Sequence, residues 1–380
     1  MRICLDVRGN HFGGVLTYSY SILKQFSEIN TEHEFVLLLD EYQFKKNLFI
    51  IKDLKKIVVP VMNPLKILLW NNWVLPKIIR DHNINVYHGF KHFTLRDTCA
   101  KVIFTLHTAS WWLYPELFKK KELFFWRNYY NFGIQSSNLI ITNSIADKKL
   151  LLETHRISSS KVKTIHLAPE IRFSKISDHK ILKNTKEKYR LPDRYVLFVG
   201  TIYPFKNIET VISAFGFAKK HGKLPHKLVL VGGESSAYGN SYRIKLEKQA
   251  RELGLNKDIL WIGQVSDDLP QIYSMADVFV FPSLYESFGL PCIEAMACGV
   301  PTIVSDAGAL PEVVEDAAII QKSDDVEGIG VSLIKILNSE ELRQKLIKKG
   351  LERSRNNFSW GKCATETLAA YEKIYYGNNK

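Results

Sequence analysis

A chain of 380 residues is long enough for two domains, each burying a core of its own, and its 46% hydrophobic and 24% charged residues are ordinary for a globular enzyme. The formal net charge of +13 favours anionic partners such as nucleotides, phosphates or an acidic membrane leaflet, and with no recognition-helix, RNP or zinc-knuckle pattern nucleic acid is not expected. Cys4, Cys99, Cys292, Cys298 and Cys363 form no CxxC pair and are odd in number, which excludes a disulfide framework and a zinc site and leaves buried free thiols in a reducing compartment as the expectation.

In chain order, residues 2–7 read as a strand. Asp6 and Arg8 interrupt the apolar stretch too early for a signal peptide, and no run approaches the ~18 apolar residues of a spanning helix. A cytoplasmic protein is therefore expected, or one peripheral to the inner membrane face. The loop 8–14 ends on Gly13 and Gly14, and a helix is predicted over 15–28. Further strands fit 34–39, 57–60, 86–88, 101–106 and 138–142, with helical patterns between several of them. This alternation is the grammar of a parallel sheet covered by helices on both faces.

The segment 168–193 is polar, Lys- and Ser-rich, and carries Pro169 and Pro192; it reads as a linker with a short helix. The run YVLFVG at 195–200 then opens a second sheet, with strands predicted over 227–231, 259–262, 278–281, 301–305 and 317–320. The expected division is an N-terminal Rossmann-like domain (1–170), a linker (171–193), a C-terminal Rossmann-like domain (194–357) and a terminal helix (358–380) that Ser359 would cap. The two domains would face each other across a cleft between their strand ends.

The densest chemical signal is ESFGLPCIE over 286–294, after an apolar strand. Pro291 suits the first position of a helix. Phe288, Gly289 and Leu290 would then offer backbone N–H groups at its N-terminus, a natural phosphate site, and Gly289 would let the backbone approach a ligand. Eight residues along one helix would separate Glu286 and Glu294 by about 12 Å and roughly 80°. Placing Glu286 on the loop and Glu294 in the first turn lets both face one elongated ligand. Taken singly, Glu286 could equally be a solvated loop charge and Glu294 a simple partner for the helix dipole.

Lys206, in GTIYPFKN over 200–207, follows a buried strand and precedes a helix, where it could neutralise a departing diphosphate. His107 ends the strand 101–106, at the edge where doubly wound sheets place functional groups; the alternative is a core or surface histidine. His88, also at a strand end, is read as structural. No Asp-x-Asp occurs, so no metal is expected and positive charge must come from Lys206 and helix termini. There is no P-loop, and Gly328-Ile-Gly330 lacks the third glycine of a dinucleotide fingerprint. Trp111, Trp112, Phe118, Lys119, Lys120, Lys121, Phe124, Phe125, Trp126 and Arg127 form an aromatic and basic cluster. It fits either a membrane interface or core aromatics beside a solvated Lys run.

FPSLYESFGLP followed by EAMACGVP resembles the E-x7-E segment of the retaining glycosyltransferases of family four. The similarity extends to Gly13-Gly14, His107, Gly200-Thr201 through Lys206-Asn207, and Phe358-Ser359-Trp360. It implies a GT-B fold and a nucleotide-sugar donor. In the family the second glutamate holds the donor ribose and the first contacts the transferred sugar, roles that fall here on Glu294 and Glu286. The resemblance further implies that His107 contacts the transferred sugar or assists near the reacting centre, that Lys206 acts on the diphosphate, and that Gly13, Gly14 and Thr201 lie near donor or acceptor. Two departures stand out: Thr108 where Asp usually follows the histidine, and Thr201 and Phe205 near positions where an Arg usually accompanies the Lys. The GTxxPxKN and FSW pieces resemble the bacterial polysaccharide mannosyltransferase branch, which implies mannose from GDP-mannose and a lipid-linked or polysaccharide acceptor. UDP-sugars and dTDP-rhamnose stay open as donors. An epimerase or hydrolase on the same fold, and a catalytically silent sugar-binding scaffold, are the alternatives.

Overall fold

The computed structural model describes residues 1–11, 13–49, 51, 54–91, 98–234 and 240–377. The chain divides into two compact units. One comprises Met1–Leu167 with Trp360–Lys380, the other Ala168–Ser359. The terminal helix thus belongs with the first unit rather than standing apart, and the segment expected as a linker is part of the second.

Among the described residues the first unit carries seven strands: β1 (Arg2–Asp6), β2 (Glu34–Asp40), β3 (Lys55–Val59), β4 (Val86–Gly89), β5 (Lys101–Leu106), β6 (Leu139–Thr142) and β7 (Val162–Thr164). They pair in the order β3-β2-β1-β4-β5-β6-β7, every pairing parallel. The order reverses between β1 and β4, which opens a crevice at their carboxyl ends. The helix Gly13–Glu28 turns Tyr18, Ser19, Ile22, Leu23 and Phe26 inward at spacings of three and four. Gly13 and Gly14 form its first turn instead of ending a loop, and Gly13 has a φ of +72°. The terminal helix Trp360–Tyr376 buries Trp360, Cys363, Ala364, Thr367, Ala370 and Tyr371 on one face. Tyr371 hydroxyl lies 2.6 Å from His88 Nδ1, and Thr105 Oγ1 lies 2.9 Å from its Nε2. His88 is therefore a fully satisfied core histidine, and burial drives its pKa well down.

Under β1, Asp6 accepts from Arg8 Nη2 at 2.6 Å and from Tyr87 hydroxyl at 2.5 Å, and Arg8 also reaches Asn71 Oδ1 at 2.9 Å. The two charges that interrupt the N-terminal apolar run are thus a buried, hydrogen-bonded pair, which offsets the desolvation of each. Four of the five cysteines are buried and Cys99 is exposed; all five are free thiols.

The second unit repeats the plan with β8 (Tyr195–Val199), β9 (Lys227–Val231), β10 (Ile259–Gly263), β11 (Val278–Phe281), β12 (Thr302–Ser305) and β13 (Ile319–Gln321). Their order is β10-β9-β8-β11-β12-β13, again parallel, with the reversal between β8 and β11. β8 and β11 are buried along their whole length, as strands covered on both faces must be. Gly328 and Gly330 lie inside the helix Val326–Asn338, where they form no phosphate loop. Among the described residues no helix is long and apolar enough to cross a membrane.

Candidate active site

Because β8 and β11 flank the reversal point, the loops that follow them meet. After β8 the chain makes a short 3-10 turn, Pro204–Lys206, and Asn207 follows at φ +54°. Asn207 Nδ2 donates to the carbonyls of Pro282 and Ser323, at 3.0 and 2.7 Å, so it ties the loops after β8, β11 and β13 together. The Leu284 amide adds a bond to the Phe205 carbonyl at 2.8 Å. Phe205, where an Arg might have stood, is instead buried and stacked on Tyr203. Thr201 lies exposed at the end of β8, and its side chain makes no hydrogen bond among the described residues.

This lacing sets Lys206 Nζ 2.5 Å from Glu286 Oε1 and 5.0 Å from the centre of the Phe281 ring. Both charged side chains are mostly buried, at 23% and 13% exposure, so their mutual attraction is only partly screened. The helix Leu290–Ala297 begins four residues after Glu286, with Gly289 as its cap at φ +91°. Pro291 takes the second helical position rather than the first, where its missing N–H still costs no intrahelical bond. Among the described residues the Gly289 and Leu290 amides make no hydrogen bond, which leaves two donors at the positive end of the helix dipole. Gly289 also meets a need inside the protein: a side chain would be strained at its φ of +91°, and a Cβ there would come 2.6 Å from Leu310 Cδ2. Phe288 is a core side chain, edge-on to Phe358 at 5.5 Å.

Glu294 is the fifth helical position, one residue further along than expected and so just inside the second turn. It is 8% exposed, and Tyr273 hydroxyl lies 3.3 Å from its Oε2. Burial first, then the nearby charge of Glu170, pushes its pKa up to about 8, while Arg172 pulls the other way. Glu170 and Arg172 were missed by the sequence reading. They reach this place because Phe173 packs on Tyr273 at 5.9 Å and Arg172 donates to the Ser266 carbonyl at 2.8 Å.

Gly308, also missed, holds the loop carrying Glu286. Its φ is +59°, and a Cβ would lie 2.4 Å from the Glu286 carbonyl oxygen, which accepts from the Ala309 amide. Gly308→Ala is therefore expected to cost about 1–3 kcal/mol through backbone strain and to displace Glu286. Denaturant unfolding checks this; an unchanged midpoint would mean that the two loops do not constrain each other.

His107, Gly13 and Gly14 belong to the first unit, at the carboxyl edge of its own sheet. Gly13 and Gly14 are exposed, and space is open around Gly13. His107 Nδ1 lies 3.3 Å from Asn143 Nδ2, and its ring meets Tyr18 edge-on at 4.8 Å. Burial and then Lys91 drive its pKa down to about 3, although the Phe90 carbonyl favours the charged ring. The aromatic and basic cluster separates by depth. Trp111 is core, Trp112, Phe118, Phe125 and Trp126 pack against that core, and Arg127 donates to the Trp111 carbonyl. Lys119, Lys120, Lys121 and Phe124 remain exposed.

Residues 12–168 match the model described as Glycosyltransferase Family 4, and residues 182–353 match Glycosyl transferases group 1. The chain is 30% identical over 298 residues to O-antigen chain mannosyltransferase B of Escherichia coli, which covers 78% of this chain and 76% of that protein. It is 29% identical to mannosylfructose-phosphate synthase of Agrobacterium fabrum, over 63% of this chain and 53% of that one. In fold it superposes on a glycosyltransferase from Rickettsia africae with a TM-score of 0.78 at 19% identity, covering 100% and 99% of the two chains. Anabaena HepE, solved in complex with UDP and glucose, gives 0.76 at 17% identity, over 97% and 100%.

Proposed function

Since this chain belongs to glycosyltransferase family four, we propose that it moves mannose from GDP-mannose, with retention of configuration, onto a lipid-linked or polysaccharide acceptor in cell-surface glycan synthesis. The observation that carries this reading is the Lys206–Glu286 contact beside the helix start that leads to Glu294. It puts a cation, unbonded amides and two carboxylates at the reversal point of one sheet, where nucleotides bind in doubly wound folds. The choice of mannose rests on the mannosyltransferase named above.

In this reading the second unit holds the donor. Glu294 accepts from the ribose hydroxyls and Glu286 contacts the sugar. Lys206 and the Gly289 and Leu290 amides stabilise the diphosphate as the C1–oxygen bond breaks. The acceptor oxygen bonds C1 on the same face, and its proton passes to the departing phosphate oxygen. No metal is needed, because Lys206 and the helix terminus supply the positive charge. The first unit takes the acceptor, with Gly13, Gly14 and His107 at its sheet edge. The site is cytoplasmic, and the exposed Lys119, Lys120 and Lys121 beside Phe124 support contact with an anionic membrane face.

A thermal-shift panel of GDP-mannose, UDP-sugars and dTDP-rhamnose tests the donor. A ligand at a hundred times its Kd stabilises by about 2.7 kcal/mol, and GDP-mannose is expected to give the largest shift. Transfer is expected to persist in EDTA. A larger shift with another base overturns the donor, and activity lost to EDTA and restored by Mg²⁺ or Mn²⁺ overturns the metal-free mechanism.

A further inference from the structure

The loops after β1, β4, β5 and β6 bring Asn10, Lys91, His107 and Asn143 to one edge of the first unit's sheet. Lys91 Nζ donates to the Gly9 carbonyl at 3.0 Å, and Asn10 Nδ2 to Ser19 Oγ at 2.8 Å. Tyr18, next to Ser19, packs on both Phe90 and His107 and is itself held by Thr105 at 3.1 Å. The ring of His107 therefore stands against a fixed wall.

Asn143 is 2% exposed, and its amide nitrogen faces His107 Nδ1. With the amide in this orientation its nitrogen donates and Nδ1 accepts. A neutral imidazole that accepts at Nδ1 carries its proton on Nε2. Here that Nε2 is shielded from solvent and among the described residues has no partner in hydrogen-bond geometry, although the Phe90 carbonyl stands near the ring, and Asn143 Oδ1 and Asn10 Oδ1 likewise have none. Two touching side chains thus present an unmatched donor and an unmatched acceptor in a dry place. Leaving such groups unmade is unfavourable, and a polyol, which donates and accepts at each hydroxyl, would satisfy both. An anion would satisfy only the donor.

We propose that Asn143 is a positioning residue: its amide holds His107 in the Nε2–H tautomer, so that the ring donates to a sugar hydroxyl, while Asn143 Oδ1 accepts from the same sugar. The sugar contact rests on the glycosyl-transfer reading above; the tautomer does not. Asn143→Asp reverses the logic. A carboxylate only accepts, so the ring proton should move to Nδ1 and the donor aimed at the sugar should be lost.

The test is nitrogen NMR of the full chain with labelled histidine side chains, the His107 signals being assigned by His107→Gln. Wild type is expected to show the Nε2–H pattern, Asn143→Asp the Nδ1–H pattern, and Asn143→Ala a mixture. In steady-state kinetics both variants should lose about a hundredfold in kcat, with less than a threefold change in KM. An Nδ1–H pattern in wild type, or a pattern unmoved in Asn143→Ala, overturns the positioning role. A switched tautomer with unchanged kcat overturns the sugar contact. If wild type shows the Nε2–H pattern yet transfers no sugar, the transfer reading fails while the positioning role stands. Should Asn143→Asp not fold, Asn143→Ala carries the same comparison.

Discussion

Binding of GDP-mannose is expected to tighten roughly tenfold per pH unit between pH 6 and 7, to level off above about pH 8, and to lose this slope in Glu294→Gln. The reason lies in the burial of Glu294. With a pKa raised to about 8 from an ordinary 4.5, the carboxyl is largely protonated in the unliganded protein at neutral pH. Ribose hydroxyls donate best to the ionised form, so binding must expel a proton, and that cost falls as pH rises. The sign for folding runs the other way. A carboxylate whose folded pKa is raised contributes stability that is whole below about 4.5 and is lost as pH climbs through 8. Glu294→Gln should therefore stabilise the empty protein at pH 8 while removing the pH response of the donor. Glu294→Ala should weaken the donor by about 1–3 kcal/mol, the range for a hydrogen bond to a charged group. Calorimetry over this pH range checks all three; a flat wild-type profile, or full affinity in a folded Glu294→Ala, removes Glu294 from the donor site.

Lys206→Ala is expected to lower kcat by about 10²–10³ and to change KM far less. The charge it meets grows as the diphosphate departs, so its contribution is larger in the transition state than in the bound donor. The ammonium is held by Glu286 at 2.5 Å, which limits the positions it can take. Deleting it also leaves Glu286 without that partner. Lys206→Ala together with Glu286→Gln is thus expected to retain better folding stability than Lys206→Ala alone, with no recovery of kcat. Steady-state kinetics decide the case: a raised KM with normal kcat would make Lys206 a simple binding residue.

The strands that carry the site were legible because each is a short apolar run between polar loops, and YVLFV or VFVF admits little else. β7 was not, since Val162–Thr164 is three residues long with a Lys in its centre and is defined only by pairing to β6. The helix at 290 was readable from Pro291, but its start was placed one residue late, and this put Glu294 in the first turn when it lies in the second. What buries the carboxylate is its packing beside Tyr273 and the residues around Glu170, contacts distant in sequence, so its raised pKa could not be foreseen. Glu170 and Arg172 lay in a segment read as linker, and their tie to Glu294 runs through Phe173 and Tyr273, about a hundred residues apart in sequence. Asn143 is one polar residue after a strand until β5 and β6 are seen side by side; only their pairing brings it to His107. The aromatic cluster shows the limit of composition as a guide. The same residue types build the core around Trp111 and the exposed Phe124.

Sugar transfer from a nucleotide donor with retention is read from the stereochemistry of the product. The protein is incubated with GDP-α-mannose and a panel of mannosides carrying a hydrophobic aglycone, and the new anomeric centre is read from its one-bond carbon–proton coupling and by α-mannosidase digestion. An α-linked product formed together with GDP is expected. A β-linked product would contradict retention, and the absence of transfer from every nucleotide-sugar tried, with the protein folded, would contradict the reading of the site itself.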